Sequence, residues 1–217
     1  MHHLPLTEAH VIDAYMDLCS SEGHRPQQLA ALATHLGQRE ATLRALFPSL
    51  AALEAQIFAT FLEHTLALLN KSPEYADYAA SEKLLGLYYT FFELLTANRA
   101  YVQVVLPPDL RAIPQIPRLE RLHRGFVAHL NTLVQDLPSR LPPLPGQAPL
   151  LAEGFWLQFL SILAFWQHDT SPAFEQTDVF IEKSVAASLE SLQLQPGAQL
   201  LDWGKFWGQS ILGGFKR

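Results

Sequence analysis

The chain has a single cysteine, Cys19, among its 217 residues. One thiol excludes an intramolecular disulfide and suits a reducing compartment. On an apolar helical pattern it reads as a small buried side chain. Charge is sparse as well: charged residues make up 17% of the chain and leave a net −6, which argues against a general attraction to nucleic acid or anionic membranes. The shortage of basic residues is sharpest at the N-terminal end. Residues 1–65 hold Arg25, Arg39 and Arg44 against seven acidic side chains, a net of −4 with histidines neutral. No run reaches eighteen uninterrupted apolar residues, and MHHLPLTEAH has neither an apolar signal core nor an arginine-rich transit character. No stable membrane insertion is expected, and the expected location is the cytoplasm.

Catalytic signatures are missing too. The chain has no GxSxG elbow, no GxGxxG strand-turn-helix and no phosphate-binding GxxxxGK[ST] loop. Its nine histidines do not pair at metal-binding spacing: His123 and His129 are six apart, and His64 has Glu63 beside it but no second histidine nearby. The expectation is therefore no enzyme, no cofactor and no metal. There is also no internal repeat and no useful strand-like alternation, which leaves an all-α chain.

What is present is apolar helix, with 49% of residues hydrophobic. The most informative stretch is residues 26–53. Leu29, Leu32, Ala33 and Leu36 recur at helical spacing before Gly37, and Leu43, Leu46 and Phe47 do so after it. Pro48-Ser49 then opens a further helix. Two short helices joined by a glycine-containing turn form a helix-turn-helix, whose second helix can enter a DNA major groove.

From Leu32 to Leu53 this frame resembles the tetracycline-repressor (TetR) family, whose N-terminal pattern is roughly I-A-x-x-A-G-V-S-x-x-T-L-Y-x-H-F-x-S-K-x-x-L. The turn glycine Gly37, Thr42-Leu43, Phe47, Ser49 and Leu53 match, and Val11, Ala14, Leu18 and Gly23 fit the family's first helix and its end. The DNA-facing positions depart: Arg44 replaces the tyrosine that typically reaches a phosphate, Leu46 a histidine or tyrosine, and Leu50 a lysine. A guanidinium at Arg44 can still pair with phosphate oxygens. Arg39 suits a guanine edge and Gln38 an adenine. Gln38, Arg39, Thr42 and Arg44 are thus the candidate DNA contacts. The resemblance implies a helix-turn-helix domain over 1–48 and a helical ligand-binding and dimerisation domain over 49–217, with 49–69 as connecting helix.

The connecting helix has Leu53, Ile57, Phe58, Phe61, Leu62, Leu66 and Leu69 at spacings of three or four. A polar break over 70–77 follows, then a helix capped by Ser81 and running to Asn98. The spacing predicts further helices over 118–137, about 150–168 and 174–194, and 198–212. The proline-rich 138–149 is the clearest loop. The tail from Leu200 carries Trp203 and Trp207 with Gly204 and Gly208, and packing on the body or across a dimer is expected of it in preference to an interfacial membrane helix.

Aromatic residues concentrate on three body helices. Tyr88, Phe92, His123, Phe126, Trp156 and Phe159 are the candidate ligand-binding set, suited to an apolar small molecule or lipid. Glu93, Arg124, His129 and Gln158 are further polar candidates. The segment Trp166-Gln167-His168-Asp169-Thr170-Ser171, leading to Thr177 and Phe180, resembles the end of the body in some TetR-type regulators. It is also similar to ubiquinone-biosynthesis accessory proteins that share the fold and bind lipid instead of DNA. Asp169 and Ser171 read as turn and capping residues. By resemblance, the helices on either side of this turn form a homodimer interface. Two functions follow: a ligand-responsive, DNA-binding repressor with a DNA operator as partner, or a lipid or hydrophobic small-molecule binding protein on the same fold that has lost DNA binding.

Overall fold

A computed structural model describes residues 6–106, 117–137, 147–194 and 205. The fold is all-α, as expected: the described residues form nine α-helices and no strand. Helix α1 (Glu8–Glu22) is capped by Thr7, whose hydroxyl accepts from the His10 amide at 3.3 Å, and it ends at Gly23. Helices α2 (Leu29–His35) and α3 (Glu40–Leu46) flank Gly37, which adopts φ +62°. Nothing lies within 4 Å of where a Cβ on Gly37 would stand. The turn therefore needs glycine for its left-handed backbone and not for space. Phe47 is extended, and Ser49 caps α4 (Leu50–Leu69) by accepting from the Ala52 amide at 3.1 Å.

Helix α4 runs unbroken from the head into the body. Its buried face, Leu53, Ile57, Phe58, Phe61 and Leu62, packs against α5 (Ala80–Ala97) and α7 (Glu120–Leu133). A Cβ on Gly125 of α7 would stand 3.0 Å from Leu62 Cδ2, so glycine permits this close crossing. Helix α6 (Arg99–Val105) packs on α1 of the head. Helix α8 (Gln147–His168) lies between α7 and α9 (Glu175–Leu194), and α9 also covers α5.

Three expectations are refined. Helix α5 starts at Ala80, so Ser81 lies inside it and is not its cap. Glu82 does the capping: its carboxylate accepts from the Ala79 amide at 2.8 Å, one half of a capping box. The helix expected over 118–137 is α7 with short 3-10 turns at Pro117–Leu119 and Val134–Asp136. Of the proline-rich loop, residues 147–149 form the first turn of α8, while 138–146 and the tail helix over 198–212 (Lys205 apart) lie outside the described residues. Among the described residues α8 alone is long and apolar enough by itself to cross a membrane, yet 67% of its most apolar window is buried inside the protein. Its hydrophobicity is that of a helix packed on nearly every side.

Candidate functional site

The four candidate DNA contacts sit around the start and outer face of α3. Arg39 is the N-cap residue and is exposed, while Gln38 and Thr42 are half-buried. Arg44 is exposed but already engaged: it pairs with Glu40 one turn earlier and donates from Nη1 to the Pro48 carbonyl oxygen at 3.1 Å. The side chain standing where the family has its tyrosine is thus folded along its own helix. Leu46 packs partly against the core and Leu50 is buried in it. The two leucines at family-polar positions therefore do packing work in this chain.

The six candidate ligand residues come together in the body. Phe159 is the hub, with ring centroids 4.9 Å from Phe126, 5.2 Å from Trp156, 5.6 Å from Phe92 and 6.4 Å from Tyr88. His123 lies at the edge, 4.9 Å from the Trp156 ring, with Nε2 2.9 Å from Glu153 Oε2. The other five are buried and in mutual ring contact. The cluster has one polar thread. The Tyr88 hydroxyl donates toward the Phe155 carbonyl oxygen at 3.0 Å and stands 3.1 Å from Gln158 Oε1. Gln158 Nε2 in turn donates to Ser188 Oγ on α9 at 3.0 Å. Burial holds the Tyr88 phenol well above its ordinary range, so it stays a neutral donor. Gln158 therefore joins the cluster. Glu93 and Arg124 do not, being exposed, and His129 is half-buried with Nε2 unpartnered and its pKa lowered by burial.

The α8–α9 turn is a knot of caps. Asp169 Oδ1 accepts from the Ser171 amide at 2.8 Å; Oδ2 accepts from the Thr177 amide at 2.9 Å and its hydroxyl at 2.6 Å. Ser171 Oγ accepts from the Gln176 amide at 3.1 Å. The structural reading of Asp169 and Ser171 stands. Ala173 and Phe174 adopt φ of +50° and +61°, positions that strain non-glycine residues. Phe174 is held there against Arg99.

Residues 83–207, which include the aromatic cluster, the knot, α8 and α9, match the family model described as tetracyclin repressor-like, C-terminal domain. The chain belongs to the tetracycline-repressor family. No curated protein matches it.

Two groups in this tetracycline-repressor-like chain had no role assigned from sequence, and the first is Glu54, one of the seven acidic residues among 1–65. It is fully buried on α4, in line with Ile57, Phe58 and Phe61. Its Oε1 accepts from the Tyr15 hydroxyl at 2.6 Å and lies 3.7 Å from Arg25 Nη1, and its Oε2 accepts from Arg118 Nε at 2.6 Å. Burial pushes the Glu54 carboxyl up, and the Tyr15 hydroxyl and Arg25 oppose the shift. A carboxylate on an otherwise apolar helical stripe was the signal. Arg99 was overlooked as well, and no local pattern marks it. Among the described residues, no group of three or more histidine, cysteine or acidic side chains is arranged to hold a metal.

Proposed function

We propose that this tetracycline-repressor-like chain is a ligand-responsive, homodimeric, DNA-binding repressor, with a head over 1–48 and a ligand-binding and dimerisation body over 49–217. The observation that carries the reading is the continuity of α4, which joins a helix-turn-helix presenting Arg39 at the mouth of α3 to a body of the repressor's C-terminal type. Gln38, Arg39, Thr42 and Arg44 contact the operator. Tyr88, Phe92, His123, Phe126, Trp156 and Phe159 receive an apolar effector, which must part rings now in contact. Helices α8 and α9 form the dimer interface, where Phe165 and Phe180 stack at 4.8 Å beside the exposed Val179. The effector favours one separation of the two heads over another. A coupling of about 1–3 kcal/mol would change operator affinity about 5–150-fold.

The second reading, a hydrophobic-ligand or lipid binding protein without DNA function, is favoured by the acidic head and by the engagement of Arg44 with Glu40. Fluorescence anisotropy against DNA from upstream of the chain's own gene, at low and near-physiological salt, separates the two. A repressor binds saturably at both salts, resists competition by random DNA and loses binding on the double change Arg39→Ala, Arg44→Ala. Absence of binding at low salt rejects the repressor and supports the carrier, whose preparation is then expected to contain a co-purifying lipid.

A further inference from the structure

We propose that the buried carboxylate of Glu54 is a clamp that fixes the head on the body, with Arg118 as the side chain whose withdrawal releases it. Four separate parts of the chain meet at this carboxylate. Tyr15 comes from α1 and Arg25 from the segment between α1 and α2, both in the head. Glu54 stands on the second turn of α4. Arg118 comes from the turn that opens α7, and its Nη1 also donates at 2.8 Å to the carbonyl oxygen of Val105, the last residue of α6. One guanidinium therefore joins α4, α6 and the start of α7.

The surroundings make the joint two-sided. Tyr101 of α6 sets its ring edge-on to Tyr15, centroids 6.1 Å apart, and leans on Phe58 of α4 at 6.2 Å. Its own hydroxyl is buried without a hydrogen-bond partner. A fully buried carboxylate needs its partners, since leaving one uncompensated is far costlier than keeping the pair. The head can therefore hold this seat only while Arg118 is in place. Arg25 and Arg118 are 39% and 18% exposed against none for Glu54, so both can return to water, but Arg118 holds the carboxylate more closely, at 2.6 Å against 3.7 Å, and is the one that ties it to α6 and α7. It also lies on the approach to α7, the helix that carries His123 and Phe126 of the aromatic cluster. Displacement of α7 would pull directly on the clamp. The clamp does not depend on whether the head binds DNA; it goes beyond the proposed function by naming what holds the head's orientation.

The chain supplies its own reporter. Cys19, the single cysteine, is fully buried one turn from Tyr15, and burial pushes its thiol up to about 11. Its reaction with a nitrobenzoate disulfide reagent, in the full-length protein at fixed pH, reads the opening of this joint. Arg118→Gln and Tyr15→Phe should each speed the reaction about tenfold or more, given what loss of one partner costs a buried pair. In a Glu54→Gln background, adding Arg118→Gln should change the rate by less than about twofold, because residues of one network are not additive. None of the four tryptophans is among the residues of the joint, and the two described, Trp156 and Trp166, lie on α8, so tryptophan emission should not move. If Arg118→Gln does not fold, Arg118→Lys, which keeps the charge but loses the two-point grip, gives the same test. An unchanged Cys19 rate, factors that multiply in the double variant, or acceleration accompanied by unfolded-like tryptophan emission would each overturn the clamp.

Discussion

Arg99 grips Trp166 twice. Its guanidinium carbon stands 4.6 Å from the indole ring centroid, and its Nη1 donates to the Trp166 carbonyl oxygen at 2.9 Å. The same group reaches the carbonyl oxygens of Gln167 at 3.1 Å and Asp169 at 3.2 Å and also lies 4.6 Å from the Phe174 ring centroid. It thus serves three carbonyls at the C-terminal end of α8, where a cation is also favoured by the helix dipole. Lysine has neither the planar fork nor the stacking face. Arg99→Lys is expected to cost about 2–4 kcal/mol. Urea denaturation followed by tryptophan emission should show a lower midpoint with an unchanged slope; a wild-type midpoint would mean the grip contributes nothing.

Asp169 sets an acid limit on the same turn. Burial pushes its carboxyl up, but hydrogen bonds from Thr177 and Ser171 outweigh this and hold it below the usual aspartate value. A depressed folded pKa contributes stability that is present above the unfolded value, about 3.9, and lost as pH falls through the folded one. The stability gap between wild type and Asp169→Asn, about 2–4 kcal/mol at neutral pH, should therefore narrow as pH drops below about 4. A gap that stays constant through that window would refute the assignment.

Releasing Arg44 should strengthen whatever DNA affinity the head has. Glu40→Ala removes its intrahelical partner and one negative charge from α3. The exposed i,i+4 pair is worth only about 0.2–0.5 kcal/mol, so stability should barely change. Affinity for nonspecific duplex should rise, and the slope of log K against log salt should steepen by about 1 as another phosphate contact forms. Titrations at three salt concentrations measure this, and an unaltered slope would show that Arg44 does not face phosphate.

Phe159 tests the aromatic cluster. Because it touches rings from α5, α7 and its own helix, Phe159→Ala should cost about 3–5 kcal/mol if those rings are packed as a solid. A benzene-sized ligand added to the variant should restore part of that stability by filling the apolar hole. Thermal unfolding with and without the ligand provides the check; a cost below about 2 kcal/mol would indicate rings already lining open space.

The proposed dimer is accessible through Val179, 45% exposed on α9 beside Phe165 and Phe180. Val179→Glu places a charge on that apolar face and is expected to convert the protein from dimer to monomer in light scattering, with helicity retained. An intact dimer would put the interface elsewhere.

The head was readable from its sequence because its signals are local: a glycine where the turn needs φ > 0, apolar positions at helical spacing, and Ser49 as a cap. The aromatic cluster was readable in membership, since its residues lie on three recognisably apolar helices. Its mutual packing was not, because helix periodicity says which face is buried but not which rings meet. The start of α5 was missed by two residues, Ser81 against the observed cap position Ala79, because the capping group lies inside the helix, on Glu82, and the capped residue is an alanine. The odd placement of Glu54 on an apolar stripe was visible, but its partners, like those of Arg99, were not. Glu54 finds Tyr15 39 residues away and Arg118 64 away, and Arg99 reaches Trp166 across 67. No local pattern encodes such pairs.

The order in which the chain is made gives the Glu54 contacts a timetable. Glu54 is synthesised with Tyr15 already behind it, but Arg118 follows only 64 residues later. At roughly 5–20 residues per second, that interval lasts roughly 3–13 seconds. Throughout it, of the two arginines that meet this carboxylate in the finished fold, only Arg25 has been made. The part of the protein made first is therefore finished late, when the middle of the chain delivers its closest positive charge.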